Sequence, residues 1–495
     1  MRKSRIRRAK GAVRPLCNPP AEAGKAFGSE VSSSGARAVY CSLGRLTTKR
    51  TMSADAIKKV RLQAGPGIVQ SSGCVNRADR RLKFTAEMNA RIVRILAFAL
   101  LAGCGGGGSG GAPETPSKFL YAGVVGGPNT FPTSVWGFAV GPGGTLSLVP
   151  GSPPGSPAPA LDNHGGQFAI TRDSKLLYTN NFEELTAFKI NPDGSLTNAP
   201  SPSLSLPDTP VGLVAHPTAD FLYSSSSGVL SVFAINSETG ALNLTSSVSL
   251  GSNNVPIGNP VTTPDGRYLY QDDLYYPNSV GQSPALLQIA GFSTDAATGA
   301  LSPVPGSPLT LTTPSPSTTS SLGPMAVDPA GKFLYVGYQF VVTNVGTDGG
   351  LAAYSIDAPS GALTAVPGSP FDVGGVPNSV AIDASGRFLI VSIYPRLGGP
   401  PGNCLAVLSI NTSTGALTSV PGSPFGPLQS CGAVAADTSG ELVYAGTTSD
   451  GLPGAASAAI FVLSVDQTTG ALAAIGQGGP ENPSFFSVSS IALTH

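Results

Sequence analysis

One three-residue run, Phe333-Leu334-Tyr335, governs what this chain can become, because with its equivalents it makes seven copies. Its equivalents are Phe119–Tyr121, Leu176–Tyr178, Phe221–Tyr223, Tyr268–Tyr270, Phe388–Ile390 and Leu442–Tyr444. The third positions are separated by 57, 45, 47, 65, 55 and 54 residues. A period of roughly 50 residues, filled with short apolar runs and turn residues, marks propellers and solenoids.

Within one unit the apolar residues alternate with the two-residue period of a pleated sheet. The unit around Phe333 reads as four strands: Met325–Asp328, Phe333–Gly337, Leu351–Ile356, and a fourth from Ala362 towards Pro367. The turn between the first two is Pro329-Ala330-Gly331, matched by Pro264-Asp265-Gly266, Ala384-Ser385-Gly386 and Thr438-Ser439-Gly440. The turn between the last two ends in glycine at Gly194, Gly240, Gly299, Gly361, Gly415 and Gly470. Such turns demand positive φ, which glycine adopts freely.

The two ends of the repeat are complementary. The first copy begins near Lys118 with no first strand before it, and the last runs on into Ser489-Ser490-Ile491-Ala492-Leu493-Thr494, a spare first strand. Pairing that segment with Phe119–Gly123 closes a ring and removes two exposed sheet edges. A β-helix shares the period but has no use for this end-to-start match. The expected fold is therefore all-β, a seven-bladed propeller of four-stranded antiparallel blades closed by the C-terminal strand, over residues 118–495.

The runs Asp328–Val336 and Thr414–Phe425 (DPAGKFLYV and TGALTSVPGSPF) resemble the lactonase-type seven-bladed propellers. That family includes propeller 6-phosphogluconolactonases and carboxymuconate-cyclising enzymes. The resemblance spans roughly Lys118 to His495 and lies in scaffold motifs, so it speaks to blade architecture rather than to catalysis. It implies enzymes of anionic lactones or carboxylates, with histidine, arginine and glutamate presented from inner strands.

Residues upstream of the repeat have a different character. Residues 1–87 hold 19 Lys plus Arg against five acidic residues and scatter Cys17, Cys41 and Cys74. From Met88 the chain reads as an export signal: Arg91 and Arg94, then the short apolar core Ile95–Ala102, too short for a membrane-spanning helix. Leu101-Ala102-Gly103-Cys104 resembles a bacterial lipobox, whose cysteine is lipidated, and the Gly-rich tether 105–117 follows. The expected organisation is a discarded or disordered leader (1–87), a lipoprotein signal (88–104), a tether, and an extracytoplasmic propeller held to the membrane through Cys104.

That division changes the charge. Of 29 basic and 28 acidic residues, residues 1–87 take 19 and five and residues 88–104 take two and none. Residues 105–495 keep eight basic and 23 acidic, a net charge near −15, which argues against nucleic acid as a partner. Cys404 and Cys431 are either a disulfide of an oxidising compartment or two buried thiols. Neither has the companion histidines or cysteines of a zinc site, and no metal or cofactor is expected.

In such a propeller the long connections Ala122–Ser134, Gln271–Ala285, Gly337–Gly350, Ser392–Asn403 and Gly446–Ser457, with 151–166 and 309–322, fall on one rim around the channel mouth. Function gathers in loops carried on a rigid frame. On this rim His164 is the histidine placed for acid–base work and Arg396 is the basic residue. Asp162, Asp272, Asp273, Tyr275 and Tyr276 are candidate ligand-binding residues. His216 sits instead at the short-turn end, where Asp328 stands in the template.

The inner strands are nearly bare of ionisable groups away from their short-turn ends, and no G-x-S-x-G elbow is present. The residues thus favour a module binding a small molecule or protein at the loop-rich face, with a degenerate catalytic site. The alternatives are a lactone hydrolase with His164 as base and Arg396 polarising the carbonyl, and a purely structural envelope protein.

Overall fold

The computed structural model describes residues 118–125, 134–152, 167–181, 184–251, 253–256, 258–278, 280, 286–311, 320–342, 346–395, 403–426, 431–448, 460–479 and 487–495. Cys104, and the leader, signal and tether expected around it, lie outside them. The described strands form seven antiparallel sheets. Blade 1 pairs Leu146–Leu148, Ser134–Val140, Phe119–Val125 and, innermost, Ser487–Leu493. Blade 2 runs outward from Phe168–Ile170 through Leu176–Asn181 and Glu184–Ile190 to Leu196–Ser205. Blade 3 comprises Pro210–Ala215, Phe221–Ser226, Val229–Ile235 and Leu242–Ser249.

In blade 4 the inner strand is split into Asn254–Pro256 and Val261–Thr262, both on Tyr268–Tyr275; Leu286–Thr294 and Leu301–Pro303 follow, and Leu309–Thr310 adds to the outer side. Blades 5, 6 and 7 start from Ser320–Val327, Gly375–Ile382 and Cys431–Ala436. The closing pairing is as expected, and its register sets Leu120 opposite Leu493, Ala122 opposite Ile491 and Gly123 opposite Ser490. Thr494 seals the end, its hydroxyl accepting from the Phe119 N–H at 2.8 Å.

The recurring Phe-Leu-Tyr run explains how the blades hold one another. Successive side chains of a strand face opposite ways, so the middle residue packs on the preceding blade. Leu334 belongs to the core between blades 4 and 5, Leu389 to that between 5 and 6, and Leu120 to the seam between 7 and 1. The first and third residues face the following blade and meet its turn glycine. A Cβ at Gly194 would lie 2.2 Å from Phe119, and one at Gly415 2.4 Å from Phe333. The tyrosine hydroxyl then donates to that glycine's carbonyl: Tyr121 to Gly194 (2.8 Å), Tyr178 to Gly240 (3.1 Å), Tyr270 to Gly361 (2.8 Å) and Tyr335 to Gly415 (3.1 Å), with Tyr223 to Gly299 longer at 3.4 Å.

Two of the seven junctions lack this bond. Blade 6 has Ile390 in place of tyrosine, and the junction of blades 6 and 7 carries a disulfide instead, Cys404–Cys431, with Cα atoms 5.7 Å apart. At the closing seam the Tyr444 hydroxyl is buried with no partner. An unmade buried hydrogen bond costs about 1–3 kcal/mol, while replacing an already orphaned hydroxyl is nearly neutral. Tyr270→Phe is therefore expected to lower stability by about 1–2 kcal/mol and Tyr444→Phe to leave it unchanged or raise it. Urea midpoints of the two variants against wild type measure the difference.

A single residue caps each short turn. Asp328 Oδ1 accepts from the N–H groups of Lys332 (2.6 Å) and Phe333 (2.7 Å), and Asp383 does the same for Arg387 and Phe388. Thr171 and Thr263 hold the place in blades 2 and 4. His216 holds it in blade 3: its Nδ1 accepts from the Thr218 and Ala219 N–H groups, and its Nε2 meets the Gly266 carbonyl at 3.0 Å. Burial lowers its pKa, partly offset by that carbonyl. This histidine is structural.

Candidate functional site

The inner strands leave regular pairing at one level. Extra residues sit between Pro210 and Gly212 opposite Ser226 and Ser225, between Leu322 and Met325, between Pro377 and Ser379, between Cys431 and Val434, and between Val488 and Ser490. Blade 4 carries the largest excess, since Pro256 opposes Asp273 while Val261 opposes Tyr270. A bulge bends its strand and re-aims the unpaired residue. Here the bulges turn Asn259, Asn378 and Ser489 towards the axis, where they line a cavity of about 550 Å³.

Side chains, most of them from a neighbouring blade, satisfy the backbone groups at this level. Asn180 accepts from the Gln167 N–H (2.6 Å) and donates to the Pro210 carbonyl (2.7 Å). Asn259 Oδ1 accepts from the Leu213 N–H (3.1 Å), while its Nδ2 donates to Gln167 Oε1. Ser392 donates to the Gly432 carbonyl (2.6 Å), and Ser379 accepts from the Val434 N–H (3.1 Å). The blade 4 bulge lies across blade 3, where a Cβ on Gly212 would meet the Gly258 carbonyl oxygen at 2.5 Å. Only glycine admits that crossing, and it brings an amide of blade 4 to one of blade 2.

The rest of the wall comprises Gln339 and Tyr394 on blades 5 and 6, Phe168 on blade 2, and small or apolar residues such as Pro324, Val434 and Ser490. Among the described residues that line it, none is aspartate, glutamate, histidine, lysine or arginine. No group of three or more His, Cys, Asp or Glu among the described residues is arranged to hold a metal ion.

Of the residues expected from sequence, Asp162, His164 and Arg396 lie outside the described residues. Asp272, Asp273 and Tyr275 belong to the strand Tyr268–Tyr275 rather than to the connection expected over Gln271–Ala285, and Tyr276 follows it, its N–H bonded to the Asn253 carbonyl. None of the four lines the cavity. Both aspartates are fully buried. Asp272 Oδ1 accepts from the Gly258 N–H (3.1 Å) and Gln271 Nε2 (2.9 Å), and Asp273 Oδ2 from Asn254 Nδ2 (3.0 Å); the other oxygen of each has no partner.

Burial pushes Asp272 up to about 7, against the pull of the Gly258 N–H, and neighbouring Asp273 adds to the rise. Burial does the same to Asp273, opposed by Asn254. A carboxyl whose folded pKa is raised gives its full stabilisation below the unfolded value near 4 and loses it as pH climbs through the folded one. Stability is thus expected to fall between pH 5 and pH 8 by roughly 2–3 kcal/mol for Asp272 alone. Asp272→Asn should flatten that slope and raise the melting temperature at pH 8. Thermal denaturation of both proteins across this range tests it.

The amide wall was not found from sequence. Its signal was present: Gly258-Asn259-Pro260 and Pro377-Asn378 interrupt inner strands with residues that break pairing, the mark of a bulge.

Residues 287–431 match the family model described as lactonase, seven-bladed beta-propeller. No curated protein sequence matches the chain. Among solved structures, a candidate 6-phosphogluconolactonase from Bacteroides fragilis NCTC 9343 superposes with a TM-score of 0.53 at 15% identity, over 78% of this chain and 100% of that one. A protein from Lactobacillus plantarum gives 0.48 at 16% identity, over 76% and 99%. A candidate 6-phosphogluconolactonase from Bacteroides uniformis ATCC 8492 gives 0.39 at 14%, over 73% and 82%. At these identities the likeness concerns the fold. The chain is a seven-bladed β-propeller whose residues 287–431 carry the lactonase-type repeat.

Proposed function

We propose that this chain is an exported, lipid-anchored propeller that binds a small molecule in its central channel, on a lactonase-type frame without that family's full catalytic set. The observation that carries the reading is the convergence of bulges from several inner strands on one 550 Å³ cavity. Small-molecule sites are concave and carry a few directed polar groups. The Cys404–Cys431 bridge supports the exported address, since such bonds persist in oxidising compartments.

The binding test is a thermal-shift screen of small molecules on wild type and Gln339→Ala. A ligand that raises the melting temperature of the wild type and does so less in the variant is expected. Absence of any shift across the screen would favour the purely structural reading. A lactone panel run alongside, with His164→Ala, decides the catalytic alternative: hydrolysis lost in that variant would overturn the binding reading. Intact mass of the membrane-extracted protein tests the anchor. The expected chain begins at a diacylated Cys104, and finding residues 1–87 in it would contradict the address.

A further inference from the structure

Resting on that reading, we infer that the channel ligand is an uncharged, hydroxyl-rich molecule of oligosaccharide type, held between Phe168 and Tyr394 and read by the amides of the bulge ring.

The first argument is electrostatic. Burying an anion without a cationic partner is costly, and lactonate or phosphate sites rely on charge-assisted donors. The described wall offers none. Of the eight basic residues in 105–495, Arg396 lies outside the described residues and the other seven stand at the short-turn end of the blades. Lys118 meets Asp437 at 3.8 Å, Arg172 meets Asp220 at 3.0 Å, and Lys175 meets Asp173 at 3.2 Å. Arg267 and Arg387 lie over the rings of Tyr268 and Phe388, and Lys189 and Lys332 stand beside the same turns. Their 23 acidic counterparts repel anions at long range. A cationic ligand would want a carboxylate in the wall, and the described wall has none.

The second argument is chemical fit. A hydroxyl both donates and accepts, and so does a carboxamide. Gln167, Asn259, Gln339 and Asn378 bring carboxamides to the cavity from four blades, with Ser489 and Ser490 adding hydroxyls. Phe168 and Tyr394 come from blades 2 and 6, which stand on opposite sides of a seven-membered ring. Aromatic faces set apart by a cavity suit the apolar faces of pyranose rings, whose edges then meet the amides. The volume lies within the usual ~300–1,000 Å³ of small-molecule sites, with room for more than one ring.

The test is calorimetric titration of the full-length protein, extracted in a detergent without a sugar headgroup. The probes are neutral trisaccharides (maltotriose, cellotriose, mannotriose, xylotriose) and, as the anion, 6-phosphogluconate. A neutral trisaccharide is expected to bind, with affinity falling at least tenfold in Tyr394→Ala and in Asn378→Ala. Both residues are exposed, and Asn378→Ala gives up a long Nδ2 bond to the Cys431 carbonyl (3.3 Å), so melting temperatures close to wild type will show that the variants fold. Binding of 6-phosphogluconate instead, weakened by the same two changes, would overturn the ligand class and leave channel binding standing. Binding of a trisaccharide that neither variant alters would overturn the placement between these residues. No heat with any probe overturns the inference, and if the wider screen is also silent, the binding reading falls with it.

Discussion

Deletion of residues 487–495 is expected to yield a chain that no longer folds cooperatively. The lost segment is the innermost strand of blade 1, so its removal takes away the ladder from Leu120–Leu493 to Val125–Ser487 and the Thr494 seal on Phe119. Val488 is 1% exposed and sits in the seam between blades 7 and 1 beside Tyr444, Trp136 and Val462. A buried aliphatic side chain of that size contributes about 1.5–3 kcal/mol, and Ile491 and Leu493 add to the same core. With the ladder bonds, the loss approaches the whole stability of about 5–15 kcal/mol expected of a domain. The open edge left on Phe119–Val125 is also a template for aggregation. Circular dichroism melting and gel filtration should show a broad or absent transition and larger species. A peptide of residues 487–495 supplied in excess should restore part of the transition. A truncated chain that melts sharply within a few degrees of wild type would show that the ring does not need its clasp.

That closure was legible because both halves of the pair carry the same two-residue alternation as the other blades, and the last repeat runs on into the kind of strand that the first one lacks. The Phe-Leu-Tyr run was legible for a related reason: its alternation assigns Leu334 to one neighbour and Phe333 and Tyr335 to the other. The partner of the tyrosine was not, since a bond from Tyr270 to the carbonyl of Gly361 joins residues 91 apart and rests on blade spacing. The position of the aspartates was less legible: the strand Tyr268–Tyr275 continues past Gln271, where the sequence places a connection, because two carboxylates in a row are seldom buried unpaired. Burial raises the pKa of both, which favours the neutral carboxyl over the charged one and lowers the cost of holding them inside. The channel wall was not legible because its polar groups are amides and hydroxyls, which the sequence carries equally in its turns, and not ionisable side chains.

The same blade spacing makes the turn glycines the most sensitive single positions, and Gly361→Val is expected to cost about 5 kcal/mol. Gly361 has φ +73°, its N–H is bonded to the Asp357 carbonyl at 2.7 Å, and its own carbonyl accepts from Tyr270. A β-branched residue at positive φ costs about 1–3 kcal/mol. A Cβ there would stand 2.3 Å from Tyr268 Cδ1, in a ring that is 4% exposed and has nowhere to retreat. Overpacking of that kind costs about 1–3 kcal/mol more, and pushing the blades apart breaks the Tyr270 bond, for about another 1–3 kcal/mol. Gly306 supplies the matched control: its φ is +79°, and a Cβ would meet nothing within 4 Å. Gly306→Val should therefore show the backbone cost alone, about 1–3 kcal/mol. Urea midpoints of the two variants separate the contributions. Equal losses would mean that the fit of glycine against the neighbouring aromatic ring does not hold the blades in place.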